Sequence, residues 1–166
     1  MKKPMDLQLF ADAIMRVQDS ISGSNAKCFV TVDGDRYNFM HALSLESTFE
    51  KTKEEIPILG RQTKGNKATG GKGSGSMEVH YNTSILRKLM IRYAKTGEDF
   101  YFDIQVTNED PTSSVGRQTV ILKDCNLDSA IMAQFDADST YLTETLDFTF
   151  ESVEMSEEFS LLAGML

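Results

Sequence analysis

Leu59-Gly-Arg-Gln-Thr-Lys-Gly-Asn-Lys-Ala-Thr-Gly-Gly-Lys-Gly-Ser-Gly-Ser76 decides how this chain is read. Five glycines fall between Gly65 and Gly75, and no large apolar side chain follows Leu59. Glycine has no side chain to pack and loses the most backbone freedom on ordering. Local composition therefore predicts a long, basic, mobile loop. The segments on either side have the periodicity of strands. A connection of this length without secondary structure is uncommon in a compact domain unless it is functional or disordered. The expectation is a small β domain carrying a working loop.

Upstream of the stretch, Ile56-Pro-Ile-Leu59 is a short apolar run. Pro57 has no backbone N–H and confines the run to an edge or a bulge. Before it, Arg36–Lys51 reads as one long strand: Leu43, Leu45, Ser47 and Phe49 alternate with Ser44, Glu46, Thr48 and Glu50, a buried face and a wet face. Lys27–Val32 is a β-branched and aromatic strand, and Asp33-Gly34 supplies the left-handed positions of a tight hairpin turn between the two. Leu7, Phe10, Ile14 and Val17 suit a short amphipathic helix or a flexible arm, ended by Ile21–Asn25.

Downstream, Ser74–Tyr81 reads as a strand with Met77, Val79 and Tyr81 on one face. Asn82, Thr83 or Ser84 can cap a helix over about 83–95. Ile85, Leu86, Leu89, Met90 and Tyr93 form its apolar stripe. Arg87, Lys88, Arg92 and Lys95 take its wet face or its C-terminal end, and Gly97 its left-handed cap. Phe100–Val106, Gly116–Asp124 and Thr143–Val153 are further strands, and Leu127–Ala133 follows a kink near Asn126. The last residues include Phe159, Leu161, Leu162, Met165 and Leu166, too apolar for a solvated end, so the tail is expected to dock. The fold class expected is mainly β (α+β): a β-sandwich or partly closed barrel of six or seven strands with one flanking helix. An N-terminal arm at 1–20, a β domain at 21–155 and a C-terminal tail at 156–166 are its expected parts.

A chain of 166 residues suits one domain with a sizeable core. No apolar run approaches the roughly 20 residues of a membrane span. Asp6 and Asp12 interrupt any signal-peptide core, so cytoplasmic synthesis is expected. Charge is unevenly spread beneath the formal total of −8. Residues 51–73 carry six bases against two acids, about +4, and residues 98–166 carry fifteen acids against two bases, about −13. So acidic a second half is a poor wrapper of nucleic acid. The polarity fits self-association, and it makes Arg61, Lys64, Lys67 and Lys72 candidate contacts between subunits.

Other chemistry is weak. A phosphate-binding loop needs Gly, four residues, Gly-Lys and Ser or Thr at the start of a helix. Asn66–Gly73 lacks the first glycine and the hydroxyl, and a strand follows it. A dinucleotide site fails because no βαβ unit surrounds the loop. Asp124/Asp128 and Asp136/Asp138 read as solvated acids, and His41 and His80 as ordinary strand histidines. Cys28 and Cys125 form no CxxC and read as reduced strand cysteines. No catalytic, cofactor or metal site is expected. A monomeric β-barrel module for a small ligand or glycan is the alternative, without an exposed aromatic cluster to support it. An enzyme with a loop as its lid has only the loop in its favour.

An ordered series of residues carries a resemblance. Ile21-Ser-Gly23 is followed by Leu59-Gly-Arg61, Lys67-Ala-Thr-Gly70, Gly73-Ser-Gly-Ser-Met77 and Thr83-Ser84. Tyr101-Phe-Asp-Ile-Gln-Val-Thr-Asn-Glu-Asp-Pro-Thr112, Asn126-Leu-Asp-Ser129 and Asp147-Phe-Thr-Phe150 complete it. From about Ile21 to Val153 the chain resembles the tail tube proteins of contractile phages, defective prophages and phage-tail-like bacteriocins of Gram-positive bacteria. No single short motif is diagnostic; the ordered series is fairly specific. The resemblance implies a β-barrel or sandwich subunit, without enzymatic activity, like the tubes of type VI secretion systems. It implies hexameric rings stacked head to tail as the hollow tube within a contractile sheath. The implied partners are sheath, tail terminator, tape-measure and baseplate proteins. DNA would pass the lumen without specific binding in a phage; a bacteriocin would use the tube for membrane puncture. It also implies synthesis in a bacterial host's cytoplasm and residence in a tail particle.

Overall fold

The computed structural model describes residues 14–162 and Met165. Leu7 and Phe10, part of the expected N-terminal helical face, lie outside the described residues, as does most of the 1–20 arm. Val17 lies in a short 3-10 turn, Val17–Asp19. Eight strands and one α-helix follow: β1 (Lys27–Val32), β2 (Asp35–Asn38), β3 (Ala42–Ile56), β4 (Gly65–His80), α1 (Ile85–Thr96), β5 (Phe102–Glu109), β6 (Arg117–Leu127), β7 (Thr143–Phe150) and β8 (Ser152–Glu157).

The strands form one antiparallel sheet in the order β2-β1-β5-β6-β7-β4-β3, and β8 pairs with β6. The fold is mainly β with one flanking helix, as expected, and the sheet is open rather than closed into a barrel. Two of the expected strands are each broken in two. Arg36–Lys51 is interrupted at Phe39–His41, where the Phe39 amide donates to the Cys28 carbonyl at 2.9 Å. Thr143–Val153 bends at Glu151. The β1–β2 turn is as expected, with Asp33 at φ 50° and Gly34 at φ 89°.

β6 joins the two halves of the sheet. Its residues 119–123 pair with β8, whereas Asn126 and Leu127 pair with β7. Between them Asp124 takes φ 53°, which kinks the strand. Side chains from both halves then meet in one core: Val30, Ile104, Leu122 and Cys125 from one, Met77, Val79, Leu146 and Phe148 from the other. Burying each large apolar side chain stabilises the fold by roughly 1.5–3 kcal/mol.

The glycine-rich stretch is not a loop. Gly65–His80 is β4, paired with β3 along its length and with β7 from Gly73 onward. Its glycines recur with the strand period of two, and Gly71, Gly73 and Gly75 share the face that carries buried Met77 and Val79. Neighbouring strands fill the space above them. A Cβ on Gly71 would stand 2.4 Å from the Phe49 ring, on Gly73 2.5 Å from Phe150, and on Gly75 2.5 Å from Phe148. Apolar cover arrives from β3 and β7 and replaces what glycine cannot supply. Only residues 57–64 connect the strands, and Pro57 stands just past the end of β3.

Helix α1 packs Leu86 into the core, with Ile85, Leu89 and Met90 partly buried beside it. Gly97 closes it at φ 72°, its amide donating to the Tyr93 carbonyl at 2.8 Å. Arg87 corrects the expected wet face. It donates from Nη2 to both Glu144 carboxylate oxygens at 3.0 Å, and from Nε to the Ile131 carbonyl at 2.7 Å. It also stacks 4.1 Å above the Tyr81 ring. Glu144 sits on the core-facing side of β7, so the helix is tied to the sheet by a buried, bidentate ion pair.

Candidate assembly surface

β3 and β4 outrun the rest of the sheet. β7 leaves β4 at Gly73, and from there Lys72–Gly65 pairs with β3 alone. At about 3.3 Å per residue this makes a two-stranded arm some 20–25 Å long. Ile56, Ile58 and Leu59 are exposed near its tip, Leu59 completely.

The arm holds all four sequence-predicted contact residues, each exposed. Arg61 lies in the connecting turn. Lys64 donates to Glu55 at 3.0 Å across the hairpin. Lys67 stands opposite Glu54 and Lys72 opposite Glu50. The charge count over 51–73 includes Glu54 and Glu55 but leaves out Glu50, and a sum over a stretch read as a loop carries no cross-strand register to pair them. Opposite charges on facing strand positions stabilise a ribbon by a few tenths of a kcal/mol to about 1. They leave the arm basic overall, since Lys51, Lys53 and Arg61 add to it.

The sheet presents two very different faces here. One is the core face. The other carries Glu46, Thr48 and Glu50 from β3, Ser74, Ser76 and Glu78 from β4, and Thr145, Asp147 and Thr149 from β7. No aliphatic or aromatic side chain interrupts this second face along those positions. Its acids outnumber its bases, and its remaining groups are hydroxyls.

The N-terminal segment is pinned on the opposite half of the molecule. The Asp110 carboxylate accepts from the Ser22 amide and from the amide and hydroxyl of Thr112. Those hydrogen bonds hold its pKa below the ordinary value. Asp19 accepts from the Ser114 hydroxyl at 2.7 Å and from Arg16, with the same effect. The Ser160 amide donates to the Val115 carbonyl at 2.8 Å and seats the start of the C-terminal tail beside them. Phe159 and Leu162 are half-buried there, while Leu161 and Met165 remain exposed.

The His41 ring packs against Phe39 with centroids 4.6 Å apart, and the His80 ring meets Tyr141 edge-on at 5.6 Å. Among the described residues no group of three His, Cys, Asp or Glu could hold a metal ion, and no helix is long and apolar enough to cross a membrane. Cys28 and Cys125 are free, and burial raises their pKa to about 11 and about 12.

Residues 13–157 match the model of the phage tail tube protein family. The chain belongs to the phage tail tube protein family. A curated relative, the phage-like element PBSX protein XkdM of Bacillus subtilis, is 38% identical over 146 residues, which cover 88% of this chain and 97% of that protein. YqbM, also of B. subtilis, is 37% identical over 144 residues, covering 87% and 95%. Among solved structures, the tail tube protein is similar to a chain of the sheath-tube complex of an extracellular contractile injection system (TM-score 0.61, 14% identity, 84% and 93% coverage). It is also similar to a chain of the anti-feeding prophage baseplate (TM-score 0.57, 16% identity, 85% and 94% coverage). At such identities these structures speak for the fold alone. The tail tube protein is a structural subunit of a phage tail or tail-like particle, and its surfaces are to be read as assembly surfaces.

Proposed function

We propose that this tail tube protein forms hexameric rings that stack head to tail into the hollow inner tube of a contractile tail, with the polar face of β3, β4 and β7 turned toward the lumen. The observation that carries this reading is the chemistry of that face. A conduit for a polyanion or a folded cargo needs a wall that binds nothing, and hydroxyls interspersed with carboxylates meet that need. Like charge repels the phosphate backbone of DNA in a confined space, and the absence of apolar side chains removes a hold for protein cargo. The role is structural and non-enzymatic. Sheath, terminator, tape-measure and baseplate proteins are the partners proposed from the family. The particle is assembled in a bacterial host's cytoplasm, and the protein resides in the tail tube thereafter. Arg61, Lys64, Lys67 and Lys72 are proposed to approach acids of an adjacent subunit.

Electron microscopy of the purified chain, raised in concentration and lowered in salt, tests the reading. Six-fold rings or tubes are expected, with Glu46, Glu78 and Asp147 on the inner wall. Compact monomers under every condition overturn it.

A further inference from the structure

Two unpaired strand edges diverge from a single point in the sheet. β7 pairs with β4 on one side, ending at Phe150 opposite Gly73, and with β6 on the other at Thr149 opposite Asn126. Past Glu151 the chain stays on β6 as β8 and parts from β4. β4 runs outward from Lys72 to Gly65 with β3 as its one partner. The far edge of β8 and the far edge of the β4 arm are therefore the two prongs of a fork. Among the described residues neither edge has a partner.

Unpaired edges are templates for another strand, and a two-stranded ribbon is marginal by itself in water. The two prongs are complementary in charge. β8 exposes Val153 (50%) and Met155 (55%), and the apolar residues of the arm, Ile56, Ile58 and Leu59, lie at its tip rather than along the β4 edge. Residues 50–72 carry six bases against three acids, and residues 151–158 carry four acids and no base. The β4–β7 register ends at Gly73 opposite Phe150; continued one step it would set Lys72 opposite Glu151, a charge match that one chain leaves unmade because its strands part there.

We propose that the free edge of Gly65–Lys72 in one copy pairs with the free edge of Ser152–Glu157 in a second copy. The inference rests on the filament reading above and names one of its interfaces. Closing the fork within one chain would strip β8 from β6 and break the Arg117–Glu157 and Lys123–Glu154 ion pairs. Pairing between copies breaks neither. It joins two different patches, so each copy offers one prong and accepts the other, and the contact repeats through an assembly.

Cysteine cross-linking of the full chain tests this. Ala68→Cys is introduced into one preparation and Met155→Cys into another, with Asn66→Cys and Val153→Cys as a second pair for a shifted register. The native thiols are held protonated by burial and compete poorly at pH 8. Mixed preparations, assembled and then oxidised, are expected to give a disulfide-linked dimer at least tenfold above either preparation alone. A chain bearing both substitutions is expected to give a ladder of oligomers. Tubes that form from the mixture without cross-linked dimer sink the proposal and leave the filament reading standing. A double variant that links only within itself also sinks it. Absence of both tubes and links removes the filament reading together with the interface.

Discussion

Gly73 shows how much one missing side chain decides. A Cβ there would lie 2.5 Å from the Phe150 ring and 2.6 Å from the Phe150 carbonyl oxygen, and the backbone atom cannot swing aside. Gly73→Ala is therefore expected to lower unfolding stability by about 1–3 kcal/mol through overpacking. Gly70 meets nothing within 4 Å, so Gly70→Ala should stay within about 0.5 kcal/mol. Urea denaturation of both variants checks the contrast, and equal effects would mean the rings can move. Asp110 and Asp19 set a pH response of their own. Hydrogen bonds from Thr112 and Ser22 to the first, and from Ser114 and Arg16 to the second, depress both from an ordinary value of 3.8. A depressed folded-state pKa means stability that is present above the unfolded value, near pH 4, and lost as pH falls through the folded value. Amide exchange at Ser22, corrected for intrinsic rate, should accelerate below that point, and Asp110→Asn should flatten the response.

At the scale of the element, α1 is held by two unlike contacts. Leu86 is 4% exposed and touches the core, whereas Leu89 is only partly buried. Leu86→Ala should cost about 2–5 kcal/mol and Leu89→Ala distinctly less; the reverse order by chemical denaturation would show the helix is turned about its axis. The Arg87–Glu144 pair is the second contact. Removing one partner of a buried ion pair leaves an uncompensated charge, so Glu144→Ala should destabilise by about 3–5 kcal/mol. Replacing both residues by apolar ones is expected to recover much of that loss.

At the scale of the whole molecule, the arm and the fork beside it are what the isolated subunit leaves unfinished. Lys72–Gly65 is paired on one side only, so its amides should exchange quickly in the monomer and slowly in the tube. Ser74–Ser76, held between β3 and β7, should be protected in both states. Replacing Lys64, Lys67 and Lys72 together with glutamine, which removes the charge without setting like charges opposite Glu50, Glu54 and Glu55, should lower tube yield while circular dichroism of the subunit stays unchanged. Each exposed pair contributes about 0–1 kcal/mol, but the term repeats at every interface of the assembly. The same attraction should weaken with salt, over a screening length of about 8 Å at 0.15 M. Sedimentation of the triple variant reads the outcome, and wild-type tube yield would assign stacking to strand edges alone.

Much of this fold is legible in local pattern. β-branched and aromatic content marks β1, alternation marks β5 and β7, Asp33-Gly34 marks the β1–β2 hairpin, and the spacing of Ile85, Leu86, Leu89 and Met90 marks α1. These signals are local because they come from the two periods of the backbone itself, 2.0 and 3.6 residues. The Gly65–Ser76 stretch is where local reading stops. Its glycines recur with period two from Gly71 to Gly75, which is a strand signal, but glycine content argued more strongly for a loop. Phe49, Phe148 and Phe150 decide the matter, and two of them lie more than seventy residues away in sequence. The burial of Arg87 depends in the same way on Glu144, and the partial neutralisation of the arm's charge on Glu50, Glu54 and Glu55 across the hairpin. The order of residues by itself determined a β-rich chain with a basic stretch at 51–73 and an acidic region at 98–166. Only the tertiary structure placed the basic stretch on a two-stranded arm and four of the acids on or beside a strand edge that diverges from it, because partners that meet across a sheet leave no mark in the spacing of either strand.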